Sequence, residues 1–235
     1  MSALILKKSK SIEIHSKLFF YGELATEALA QITAQEIEQM WNAPKANIRL
    51  KDGVYPLQFV IWGEVISRAD AQLLNAEKPT VVHNFIEIVG EVRSVMVLGG
   101  NIGRWSVTDN LGKSTTAPHE WGHGVGLDHP PADTEVIFIN ARDEKVSLGK
   151  ATDLRGQSAI SIMAPRGTLV SPALQWSDKM SVMDIAEKVV EIREGATLNP
   201  AKRLVIAQDI ADLHIESLLI DKDSAELGRV CREVY

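Results

Sequence analysis

One stretch constrains this chain more than any other: His119-Glu120-Trp121-Gly122-His123-Gly124-Val125-Gly126-Leu127-Asp128-His129. Gly122, Gly124 and Gly126 deny a helix any long run past this point, because glycine loses the most conformational freedom on being fixed. A helix here must therefore be short. Its start falls within Ser114 to Ala117, where serine and threonine supply an N-cap and Pro118 is tolerated in the first turn. His119 and His123 are four residues apart, so on that helix they share one face and both imidazoles can reach one ion. Glu120 sits about a quarter-turn away, near enough to act on a water at the ion without being a ligand. Gly126 permits the backbone angle that turns the chain out of the helix, and His129 can return as a third ligand. Three neutral nitrogens with the fourth tetrahedral position open form the donor set of a catalytic rather than a structural zinc site.

Composition narrows the rest. The chain has 235 residues, enough for one catalytic domain with a core that needs no staples. Its net charge of −6 argues against nucleic acid or an anionic membrane as partner. With Cys231 the single cysteine, neither an internal disulfide nor a multi-cysteine metal site can form. The apolar run at Ala3–Leu6 is too short for the core of a secretory leader, and no run spans a membrane. The compartment stays open between the cytoplasm and export by a leaderless route.

Periodicity predicts strands over Ser11–Gly22, Val54–Ile66, Asn84–Val89 and Glu91–Leu98, and a helix over Ala25–Trp41. Arg68–Glu77 reads as a short helical or irregular connection, and Thr134–Leu148 as a hairpin. Val182, Ile185, Val189 and Ile192 recur at steps of three and four, which predicts a last helix capped by Ser177. That order suggests an α+β fold, a mixed sheet with helices packed on it. Residues 1–199 are expected to form the catalytic domain and residues 200–235 a helical appendage.

The histidine motif, followed by Ser161-Ile162-Met163-Ala164-Pro165, resembles the metzincin zinc metallopeptidases, nearest to their matrixin and serralysin branches. The resemblance implies a zincin-like domain: a twisted mixed sheet, two main helices, the active-site helix at the cleft and a C-terminal helix after the Met-turn. It implies one catalytic Zn²⁺ on His119, His123 and His129, with Glu120 as general base toward a metal-activated water. Met163 would lie beneath the metal as structural support, and Gly126 would form the turn. Protein or peptide substrates would bind extended along an edge strand, here Ser94–Arg104, with a specificity pocket walled by Ala159–Leu174. The chain departs from these branches in three respects. No tyrosine stands two residues past Met163, no glycine-aspartate calcium repeats follow, and the entry Thr115–Pro118 is polar where an apolar turn is usual.

Other residues favour plainer roles. His15, His83 and His214 fall outside ligand spacing. Asp109 and Asn110 have the right chemistry for a structural Ca²⁺ but fit a tight turn better. Asp128 beside His129 is expected to be solvated or capping rather than orienting a ligand. Gly228–Arg232 around Cys231 does not match a latency peptide. The competing reading is a zinc-dependent recognition or toxin-like module with narrow or weak proteolysis.

Overall fold

The structure, a computed structural model, describes residues 2–91, 93–177, 182–186, 188–193 and 195–234. The chain divides into two units, Met1–Asp128 with Val205–Tyr235, and His129–Leu204.

In the first unit, β1 (Ala3–Lys7) pairs antiparallel with β2 (Ile12–Tyr21). Buried and half-buried residues alternate along β2 from Ile12, then Leu18 to Tyr21 are all buried. That change marks the passage from a half-covered to a fully covered strand. α1 (Glu27–Asn42) starts at Thr26, whose hydroxyl accepts from Leu29 N at 3.2 Å. It buries Ala30, Thr33, Ala34, Ile37 and Trp41, a helical stripe. β3 (Asn47–Leu50) and β4 (Gly53–Val65) form a hairpin, and β4 runs parallel to β2. A Cβ at Gly63 would lie 2.3 Å from Ala30 O, so only glycine allows α1 this close to the sheet.

α2 (Arg68–Glu77) is a regular helix capped by Ser67, and Ala71 and Leu74 cover Phe19, Tyr21 and Phe85. β5 (His83–Val89) pairs parallel with β2, and β7 (Ile102–Ser106) pairs parallel with β5. The strand expected over Glu91–Leu98 is confined, among the described residues, to β6 (Val95–Met96), which pairs antiparallel with β7. Ser94 explains the interruption: its amide donates to Asp109 Oδ2 and its hydroxyl accepts from Ser106 N, so the chain there bonds to side chains instead of a ladder. α3 (Thr116–Gly124) is short, as its glycines require.

In the second unit, β8 (Thr134–Ile139) and β9 (Lys145–Ala151) make the expected hairpin. β10 (Ile160–Ser161) precedes the turn that holds Met163. The expected helix from Ser177 to Ile192, the C-terminal helix after the Met-turn, is not formed. Its described residues are β11 (Val182–Ala186) and β12 (Val189–Arg193), an antiparallel pair turned at Lys188 with φ +62°. Residues 178–181 and 187 lie outside the described residues. The repeat of Val and Ile satisfied a helical period, but β-branched side chains lose χ1 freedom in a helix and suit a pleated surface. Pairing of β12 with β8 decides the matter, burying Val190 and Ile192 with Val136, Leu169 and Ala196. β13 (Arg203–Leu204) pairs with β10.

Residues 205–235 return to the first unit rather than standing apart as an appendage. After α4 (Ala207–Ala211) and α5 (Ile215–Leu218), β14 (Ser224–Leu227) pairs antiparallel with β1. An uncovered β1 would leave a row of unpaired backbone groups, and β14 takes that edge. The large sheet has the order β14-β1-β2-β5-β7-β6, with β4 and β3 branching from β2. Parallel and antiparallel pairs coexist in it, so the chain is α+β with a mixed sheet and packed helices.

Candidate metal centre

The local chemistry of α3 begins at an unusual entry. Thr115 precedes the helix at φ +64° and offers no side-chain cap. The cap comes instead from α1: Glu36 Oε1 accepts from Thr115 N at 3.1 Å. A carboxylate at a helix start both satisfies an orphan N–H and suits the helix dipole. Burial raises the pKa of Glu36, while the amides of Thr115, Gly112 and Ser114 oppose that shift. Glu36 gave no signal in the sequence, because nothing local ties residue 36 to residue 115.

The helix is then anchored by aromatic packing. Trp121 is fully buried, with its ring centroid 4.7 Å from that of Trp41 and 5.6 Å from that of Phe59. Trp41 Nε1 donates to Pro118 O at 3.2 Å, and Trp121 Nε1 donates to Ser16 Oγ at 3.3 Å. Both indole N–H groups are thus satisfied, as buried ones need to be.

At its C-terminal end α3 closes in a Schellman motif. Leu127 N donates to Gly122 O at 2.9 Å and Gly126 N to His123 O at 3.0 Å, with Gly126 at φ +103°. Nothing lies within 4 Å of the place a Cβ on Gly126 would take, so the demand for glycine is torsional, not steric.

His119 and His123 face each other across one turn, ring centroids 4.7 Å apart and planes at 82°. His119 and Glu120 are buried, at 4% and 7% exposure; His123 is half-buried and His129 exposed. His123 Nδ1 lies 2.8 Å from Leu127 O. A carbonyl only accepts, so Nδ1 carries the proton and Nε2 is left with its lone pair for a metal. One nitrogen from each of His119, His123 and His129 lies within 4.8 Å of the others, so the group can hold a metal ion. Tetrahedral zinc would ask for nitrogens roughly 3.4 Å apart, from Zn–N bonds of about 2.0–2.1 Å. Three imidazoles are a donor set that zinc accepts, so the chemistry of the group fits.

Met163 lies in the second unit, 3% exposed, in a tight turn. Its amide donates to Ser161 Oγ at 2.9 Å, and Ala164 N donates to Ser161 O at 3.1 Å. Asp128 is exposed. Asp109 accepts from Ser94 N at 3.0 Å, and Asn110 is a left-handed turn residue at φ 54°. Among the described residues, the histidine group is the one cluster of three or more His, Cys, Asp and Glu able to hold a metal. His15 pairs with Glu13 at 2.8 Å, His83 stacks edge-on with Phe19, and His214 begins α5; none joins a ligand cluster.

Within the first unit, β6 ends the sheet path and lies beside α3. Gly99, three residues past Met96, donates its N–H to His123 O at 2.8 Å. Among the described residues, no helix is long and apolar enough to cross a membrane. Comparison with family models, with curated proteins and with solved structures finds no match to this chain.

Proposed function

We propose that this chain is a zinc-dependent endopeptidase of metzincin type. The observation that carries the reading is the placement of Glu120 in α3 between His119 and His123, buried with His119, in a group whose nitrogens converge within 4.8 Å. A carboxylate placed beside two candidate ligands on one short helix is positioned to exchange a proton with a metal-activated water. Bound zinc would supply Lewis acidity toward a carbonyl and lower the pKa of water.

The chain's own residues supply the rest. His123 is held in one tautomer by Leu127 O, which would leave its Nε2 lone pair to hold the ion. Glu120 accepts the proton from the attacking water and delivers it to the leaving amine. An extended peptide can add along β6, which ends the sheet path among the described residues and whose Val95 is 49% exposed. Backbone pairing there would align a substrate beside α3 with little sequence preference. The polar entry at Thr115 fits this scheme, because Glu36 takes the place of an apolar turn in fixing the start of the helix.

The test is cleavage of denatured casein and of a peptide library by the zinc-loaded protein and by Glu120→Ala. The expected outcome is hydrolysis by the first, and a loss of at least about 100-fold in the second with zinc binding retained. If the zinc-loaded wild type is as silent as Glu120→Ala, the peptidase reading fails and a recognition module takes its place.

A further inference from the structure

The C-terminal segment does more than close the sheet. β14 hands the chain to Gly228, at φ +72°. A Cβ there would stand 2.9 Å from Gly124 O and 3.2 Å from Gly99 O, so only glycine lets the tail come this near the end of α3. The next residue, Arg229, donates its N–H to Gly99 O at 2.8 Å, and Gly99 in turn donates its N–H to His123 O at 2.8 Å. Gly99 therefore stands between the tail and the backbone of a candidate ligand.

Two residues on, both backbone groups of Cys231 are gripped. Its N–H donates to Asn101 Oδ1 at 2.7 Å, and its carbonyl accepts from Asn75 Nδ2 at 3.0 Å. Asn101 is fully buried and Asn75 is 6% exposed, and Asn101 Nδ2 reaches Asn75 Oδ1 at 3.4 Å. Burying two amides is costly unless their polar atoms are bonded. Here they bond to each other and to the main chain of the tail, so the seat recognises backbone rather than a particular side chain.

We propose that Gly228–Cys231 is a positioning strap for the metal helix, fixing the last turn of α3, and with it the ring of His123, through Gly99. The inference rests on reading the histidine group as a metal site. Arg229 acts through Gly99 and never touches the metal, so it is a positioning residue. Partners that orient a ligand typically tune metal affinity by about 10–100-fold.

Two variants of the full chain separate backbone from side chain. Arg229→Pro removes the N–H that bonds Gly99, while Arg229→Ala keeps it. Zn²⁺ affinity is read by competition with a chromophoric chelator, and ligand geometry by the visible absorption of the Co²⁺-loaded protein. Arg229→Pro is expected to bind Zn²⁺ about tenfold more weakly and to shift the Co²⁺ bands, with Arg229→Ala like wild type. If Arg229→Pro matches wild type in both, or Arg229→Ala is equally weakened, the strap is overturned. Ile48→Val, in the core of β3, reports on stability alone; an equal loss of affinity there also overturns it. Should Arg229→Pro fail to fold, Asn75→Ala, which releases the carbonyl of Cys231, is read against the same criteria. A wild type that binds no Zn²⁺ sinks the metal reading itself; a wild type that binds with Arg229→Pro unchanged sinks only the strap.

Discussion

At Gly126 the chain leaves α3 at φ +103° with open space where a side chain would begin. A substitution there meets backbone strain but no clash. Gly126→Ala should therefore cost about 1–2 kcal/mol, the ordinary penalty for a left-handed L-residue, with Gly126→Asn milder because asparagine tolerates that region better. Denaturant midpoints at constant m-value measure this, and an unchanged Gly126→Ala would mean that the Schellman turn does not need its glycine. The same residue sets the position of Leu127, whose carbonyl fixes the proton on His123 Nδ1. A single glycine thus links helix termination to the chemistry of a ligand. His119 and Glu120 are buried, while His129 is exposed and follows the turn.

At the scale of elements, α3 is held by others more than by itself. Its start depends on Glu36 in α1, its middle on Trp41 and Phe59, and its end on Gly99 and the strap after β14. Glu36 gives a pH signature. Burial raises its pKa from the ordinary 4.5, so the folded state holds this proton more tightly than the unfolded chain. Its contribution to stability is therefore fully present below 4.5 and is lost as pH rises through the folded pKa. Lys113 lines the same pocket as Glu36, with Gln35 and Gln39. Glu36→Gln keeps an acceptor for Thr115 N and removes the titration. Its unfolding free energy relative to wild type should rise as pH goes from about 4 to 7. A difference that is flat with pH, or falls, would contradict this account of the cap. Much of the element plan was legible from the sequence. β2, α1, β4, β5 and α3 each carry a local period or a glycine limit that agrees with the structure formed. The pair β11 and β12 was not legible, because Val182, Ile185, Val189 and Ile192 fit a helical repeat and the deciding contact is with β8, some fifty residues earlier. Nor was β14, whose place is set by the open edge of β1 at the other end of the chain.

For the molecule as a whole, the grouping of His119, His123 and His129 was legible because it is confined to residues 119–129, whereas what holds α3 in place was not. Glu36, Gly99, Asn75, Asn101 and Gly228 act across long sequence separations and leave no pattern in a single chain. The first unit is assembled from both ends of the chain, which places residues 205–235 within the body that carries α3. We propose that His119, His123 and His129 together hold one zinc ion. This is tested most directly by elemental analysis after equilibrium dialysis of the wild type and of His119→Ala against buffered Zn²⁺. Close to one equivalent is expected in the wild type and less than about half in His119→Ala. A wild type retaining under about half an equivalent, or a His119→Ala that retains as much zinc as wild type, would contradict it.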